Sequence, residues 1–245
     1  MPKPAVSKTL THRLCTAVGF FALCTGLLTS VSAADAPANS DELKWDTVFS
    51  KRNTPQSLQF SAHFWDGKGA EHRLKYWREG GTRLRRNTDD HVDVMVERLH
   101  DGEYRYHVLD HRKKIITDID QTNLVRIGRF IHWDDLAHIV TKPKVDSRLS
   151  KSPAKDLVVN GARCQWYLAT PTAVTTAPTL SQHICWSVAL GIPLKMTQAS
   201  AGQAETTTWQ VDTVSTKKLT DAAFTAHVAG YAVVDANQDI GPSGD

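Results

Sequence analysis

The stretch DLVVNGARCQWYLATPTAVTTAPTLSQHICWSVALGIPLKM, Asp156 to Met196, decides how this chain is read. Two alternating runs flank a loop, and each carries one cysteine: Cys164 follows Asn160-Gly161, and Cys185 precedes Trp186. Asn-Gly between apolar runs is a strong hairpin signal, because both residues tolerate the positive φ that a tight turn requires. Gly191-Ile192-Pro193 marks a second turn before Leu194-Lys195-Met196. The stretch therefore predicts two or three neighbouring antiparallel strands stapled by a disulfide. Between them, Thr170 to Thr179 is small, Thr-rich and Pro-containing, and reads as an exposed loop.

The N-terminus supplies the redox context. Lys3, Lys8 and Arg13 precede an uncharged, apolar or small run from Leu14 to Val31, and small residues at Val31-Ser32-Ala33-Ala34 fit a cleavage site. This pattern predicts a secretory signal peptide over residues 1–34. A membrane anchor is the competing reading, but Thr16, Gly19, Thr25, Gly26, Thr29 and Ser30 interrupt the apolar run, which makes a poor spanning helix. No later apolar run is long enough to span a membrane, so no transmembrane anchor is expected in the mature chain. Cys15 and Cys24 leave with the signal. Two cysteines then remain in an oxidising compartment, which favours a Cys164–Cys185 bridge over a catalytic thiol or a metal-binding pair.

Charge follows the same division. The chain has 29 basic and 26 acidic residues. All of the excess lies in the signal, where Lys3, Lys8 and Arg13 face no acid, so the mature chain is formally neutral. Nothing in its charge points to nucleic acid or an anionic membrane as partner. The roughly 210 mature residues suffice for one sizeable core.

Working outward, Ser40 with Asp41 and Glu42 reads as a helix start, and Trp45, Val48 and Phe49 as its apolar stripe. From Ser57 to Phe130 the period is two. Leu58, Phe60, Ala62 and Phe64 form one alternating set, Leu74 and Tyr76 a second, Val92, Val94 and Val96 a third, and Tyr104, Tyr106 and Val108 a fourth. Asp66-Gly67, Gly80-Gly81 and Asp101-Gly102 punctuate them, as in an antiparallel meander. Trp133, Leu136, Ala137 and Val140 then fall at helical spacing and predict a short amphipathic helix inserted between two groups of strands. Glu205 to Ser215 is a further strand, Asp221 to Tyr231 a closing element, and 235–245 a Gly/Asp-rich disordered tail. The expected domain is thus 35–234.

One helix, a long meander, an inserted helix and more strands is the order of the periplasmic lipoprotein-carrier superfamily (LolA/LolB/RseB-like proteins). Val159-Asn160-Gly161-Ala162-Arg163-Cys164 resembles the V-x-G-x-x-C segment of its exported members of unassigned function. Trp186 with Gly191-Ile192-Pro193-Leu194-Lys195 resembles that superfamily's strand, turn and return strand, and Asp221-Ala222-Ala223-Phe224 with Gly230-Tyr231 its closing segment. The resemblance covers most of residues 40–231. It implies a mainly β protein with a few helices (α+β), built as an incomplete antiparallel β-barrel with a helical lid. Its members are carriers, receptors or sensors of lipid-modified proteins, active in outer-membrane biogenesis, and are not enzymes. The resemblance therefore implies a hydrophobic ligand or lipoprotein and an envelope protein partner, with no cofactor.

Two sets of residues carry candidate chemistry. Phe60, Phe64, Tyr76, Trp77, Tyr104, Tyr106, Trp133 and Leu136 are core candidates that would also line an open apolar groove, because a half-closed barrel has an inner face with no second sheet over it. The histidines and acids around residues 89–111, namely Asp89, Asp90, His91, Asp93, His100, His107 and His111, suggest the alternative of an exported metal-dependent hydrolase. No H-E-x-x-H or G-x-S-x-G motif supports that alternative, and no metal is expected. Arg83-x-Arg85-Arg86, flanked by acids, reads as a solvated sheet face.

Overall fold

The computed structural model describes residues 43–50, 54–126, 133, 137, 139–140, 142, 146–172, 180–200 and 202–237. The expected signal peptide, the Ser40 helix cap, Leu136 and residues 238–245 of the expected tail lie outside the described residues.

A short helix α1 (Trp45–Val48) precedes six strands joined as a meander: β1 (Ser57–Trp65), β2 (Glu71–Glu79), β3 (Arg83–Thr88), β4 (Val92–Arg98), β5 (Tyr104–Asp110) and β6 (Ile115–Asp120). After helix α2 (Gln121–Arg126) come β7 (Ser147–Lys151), β8 (Leu157–Val159), β9 (Ala162–Pro171), β10 (Leu180–Ser187), β11 (Ile192–Ser200) and β12 (Thr206–Ser215). A 3₁₀ turn (Asp221–Phe224) leads to β13 (Ala232–Asp235). Hydrogen bonding orders these as β13-β6-β5-β4-β3-β2-β1-β12-β11-β10-β9-β7, with β8 attached to β9. The two strand groups join where the first strand meets the twelfth: Phe60 faces Val214 and Phe64 faces Trp209. The sheet stays open, with β7 at one end and β13 at the other. Mostly strand with few short helices, it is the incomplete antiparallel barrel that the sequence implies. Among the described residues no helix is long and apolar enough to cross a membrane.

The strands and the bridge of the opening stretch form as read, but Thr170 and Pro171 belong to β9 and Ile192 and Pro193 to β11 rather than to loop and turn, and residues 173–179 of the expected loop lie outside the described residues. Asn160 and Gly161 take φ of 46° and 81° and turn β8 back onto β9. Cys164 and Cys185 are bridged between β9 and β10, with Cα atoms 5.2 Å apart. Both sulfurs are buried in the main apolar cluster, with Leu58, Phe60, Tyr76, Leu194 and Trp209. Pro193 sits at a bulge opposite Trp186, a position where the missing N–H is tolerated. Phe49 packs edge-on against Trp186 and Tyr167, with centroids 5.2 and 5.7 Å away, and so closes a second cluster.

Four further expectations are corrected. The meander ends at Asp120, not near Phe130: Asp120 Oδ1 accepts the Asn123 backbone N–H, capping α2. α2 has no apolar stripe to announce it. Lys142 to Lys155, whose polar composition with Pro143 and Pro153 reads in the sequence as a mere connection, contains β7, a charged edge strand that this composition hides. The closing element continues into β13, which pairs parallel with β6 rather than antiparallel. Asp235 to Asn237 are tied down, since Ala236 N donates to Asp118 O and Asn237 Oδ1 accepts from Asp120 N. The chain therefore does not come loose at residue 235.

Candidate functional site

Strand parity divides the β1–β4 side chains between two faces. The inner face carries Phe60, Ala62 and Phe64 from β1, Leu74, Tyr76 and Arg78 from β2, Leu84, Arg86 and Thr88 from β3, and Val94 and Val96 from β4. Cross-strand register sets Phe60 beside Tyr76 and Tyr76 beside Arg86. Phe60 and Tyr76 stack at 4.7 Å, and Trp209 meets Phe60 edge-on at 6.0 Å. The Trp209 indole N–H donates to Pro193 O at 3.0 Å, which fixes the ring.

Where this face is not filled, it leaves a cavity of about 460 Å³, within the range of small-molecule sites. Phe64, Trp65, Leu74 and Tyr76 wall it on one side, and Gln182, Met196, Gln198, Thr208 and Trp209 on the other. Arg86 and Thr88 come from β3, and Ile139 from within the predicted inserted helix, where the backbone is a bend rather than helical. Trp133 and Ala137 have helical backbone, and with Ile139 they pack against the inner cluster. Val140, the last residue of the expected stripe, lies in a bend and packs in the second cluster instead.

Two of the buried polar atoms without a hydrogen-bond partner among the described residues belong to this wall; others are Trp186 Nε1 and Ser187 Oγ in the core. Tyr76 is 1% exposed and its hydroxyl has no hydrogen-bond partner among the described residues. Burial pushes its pKa up to about 12, against the pull of the Arg78 and Arg86 guanidiniums. The Thr208 hydroxyl is likewise buried without a partner. Arg86, half-buried, makes no ion pair or hydrogen bond among the described residues.

The expected groove residues separate. Phe64 and Tyr76 line the cavity, and Phe60 is core behind it. Tyr104 and Tyr106 pack on the same cluster further along the sheet, with Trp133 stacked on Tyr104 at 5.4 Å. Trp77 lies on the outer face, under the Arg85 guanidinium at 5.1 Å. Met196, Thr208, Trp209 and Arg86 carry the site but are absent from the sequence expectation. For Arg86 the signal was available: it shares strand parity with Leu84, so alternation places it inside. The reading of Arg83 to Arg86 as one solvated face is corrected on that point.

The outer face holds the histidines and acids. Asp93, fully buried, accepts two bonds from Arg85 at 3.0 and 2.8 Å and lies 2.8 Å from His111 Nε2. His111 Nδ1 is 2.8 Å from the Tyr231 hydroxyl. Arg85 also donates to the carbonyls of Ala223 and Thr225, while Arg83 pairs with Asp221 and covers the Phe224 ring at 4.5 Å. This network straps the closing segment to the sheet. Asp89 instead binds His72 and the Arg73 N–H, and Asp90 binds Lys75. Asp93 and His111 thus share one network while Asp89 and Asp90 are engaged elsewhere, and among the described residues no three His, Cys, Asp or Glu gather as metal ligands.

No protein-family model matches the chain, and no curated protein does. Among solved structures, the chain is similar to MucB at 14% identity and a TM-score of 0.42, over 77% of this chain and 64% of that one. The chain thus spans less than two thirds of the MucB chain. It is also similar to a DUF1329 family protein from Desulfovibrio piger ATCC 29098, at 12% identity and a TM-score of 0.35, over 73% of this chain and 93% of that one.

Proposed function

We propose that this chain is an exported, non-enzymatic binding protein of the periplasm that takes a hydrophobic ligand into the inner-face cavity. The ligand class is an acyl chain, a lipid or a lipid-modified protein, and the role is that of a carrier or a sensor that reports occupancy to an envelope partner. The observation that carries this reading is the cavity itself: about 460 Å³ of unfilled space walled by Phe64, Leu74, Ile139, Met196 and Trp209 in the middle of an open sheet. An opening of this size with a largely apolar wall has the dimensions of a small-molecule site, which supports the reading. The bridged cysteines support export, because structural disulfides belong to oxidising compartments.

The test is to export the full chain, purify it without detergent, and extract it for lipid mass spectrometry, alongside uptake of a fluorescent fatty-acyl probe. Co-purified acyl species and saturable uptake are expected, both reduced in Met196→Glu, which places a charge in the wall. A folded, disulfide-bonded protein with neither bound lipid nor uptake would overturn the proposal.

A further inference from the structure

We infer that the ligand of this cavity is an acidic amphiphile, with its anionic head on Arg86 and its chain against Phe64, Leu74, Met196 and Trp209. The inference rests on the binding reading above and adds the charge and polarity of the ligand. Arginine cannot shed its proton in a protein. A partly buried guanidinium therefore needs a counter-charge or full hydration, and Arg86 has no ion pair among the described residues. No Asp or Glu is among the described residues that line the cavity. The same wall presents two more unused hydroxyls, those of Tyr76 and Thr208. A buried hydroxyl without a partner is costly in a finished core. Three donors, with no acid among the described lining residues, are complementary to a carboxylate or phosphate oxygen.

A second guanidinium reinforces the field. Arg78 is 3% exposed on the same face, beside Tyr76, and its Nη2 donates to the Pro55 carbonyl at 3.3 Å. It too has no acid partner among the described residues. Two cations thus flank the Tyr76 phenol, while the remaining wall is aromatic and aliphatic. A purely apolar ligand would leave Arg86 and both hydroxyls uncompensated. A free anion would leave the apolar wall wet. An acyl chain with an acidic head satisfies both.

Binding of the full chain to four probes tests this by isothermal titration: palmitate, palmitoyl lysophosphatidate, monopalmitoylglycerol and inorganic phosphate. Both acidic amphiphiles should bind at least tenfold more tightly than the neutral monoacylglycerol, and phosphate alone should bind weakly. Arg86→Gln should weaken the acidic amphiphiles roughly tenfold to a hundredfold, the factor expected for a lost charge-assisted hydrogen bond, and leave monopalmitoylglycerol unchanged. Tyr76→Phe keeps the ring packing and should weaken the acidic probes several-fold, giving a second reading should Arg86→Gln fold poorly. Equal affinity for acidic and neutral lipids overturns the inference and leaves the binding proposal standing. Failure of every lipid to bind overturns both. Phosphate binding as tight as lysophosphatidate would reassign the site to a free anion.

Discussion

Arg85 and Arg86 are neighbours on β3 and meet opposite fates. Arg85, on the outer face, is bidentate to a buried carboxylate, donates to two backbone carbonyls and lies over Trp77. Arg86, on the inner face, lines the cavity with no partner among the described residues. The same side chain, one residue apart, is spent on structure on one face and left open on the other. Satisfied polar networks specify a fold, while local rules are broken at functional sites. The inner face breaks them three times within one cavity, at Arg86, Tyr76 and Thr208; the outer face closes around Asp93.

The largest effect should come from opening that outer network. Asp93→Ala leaves Arg85 and His111 without their shared carboxylate and should cost about 3–5 kcal/mol, as breaking a buried ion pair does, read as a fall in the urea midpoint at neutral pH. Burial pushes the Asp93 carboxyl up, but hydrogen bonds from Arg85 and His111 and the charge of Arg85 outweigh it and hold the pKa below the usual value. A depressed folded pKa contributes stability above the unfolded value, roughly 3.9 for Asp, and loses it as pH falls through the folded one. Wild-type stability should therefore drop below about pH 4, and the drop should be shallower in Asp93→Ala. A variant with an unchanged midpoint would erase the contrast between the faces.

The inner face has its own covalent tie, and removing it sharpens the comparison. Cys164 and Cys185 are 21 residues apart, and a loop of that length gives about 3 kcal/mol in the chain-entropy model. Cys164→Ala with Cys185→Ala should lower the urea midpoint by that order. Unlike the loss at Asp93, the loss should be the same at about pH 3 and about pH 7, on either side of the Asp93 transition, because no titrating group takes part. A strong pH dependence in the double variant would mean that the two faces are not independent.

A smaller step probes the strap. Tyr231→Phe removes only the hydroxyl beside His111 Nδ1, and one hydrogen bond is worth about 1 kcal/mol. Limited proteolysis within residues 221–231 should accelerate in this variant while the disulfide-linked hairpin stays protected. Cleavage at equal rates in both regions would show that the segment is not held by this contact.

What the sequence reveals follows from the range of each interaction. Alternation and turn chemistry are local, so the meander, the Asn160-Gly161 hairpin and the cysteine pair were legible. β7 and α2 were not, because a charged edge strand and a six-residue polar helix lack a period. The histidine and acid cluster misled for another reason. Asp89, Asp90 and Asp93 are close in sequence, yet His72, Lys75 and Arg85, from two strands, claim one each. Proximity along the chain says little about which groups share a site across a sheet. The cavity needed long-range register, since Met196 and Trp209 reach Phe64 only through the junction of β1 with β12.

The smallest expected effect is the most diagnostic. Arg85→Met should destabilise much as Asp93→Ala does, because it strands the same carboxylate. Arg86→Met should change the unfolding free energy by no more than about 0.5 kcal/mol, or raise it, because no hydrogen bond or ion pair among the described residues is lost and a charge that is hard to hydrate is exchanged for an apolar chain of similar length. Thermal and urea midpoints of the two variants, measured without ligand, decide the matter. If Arg86→Met fell as far as Arg85→Met, Arg86 would be a structural residue and the two faces would be alike. A null effect would mean that Arg86, unpaired among the described residues, is not required for the stability of the chain. A side chain kept at no structural gain and set in an apolar cavity then has its counterpart outside the protein.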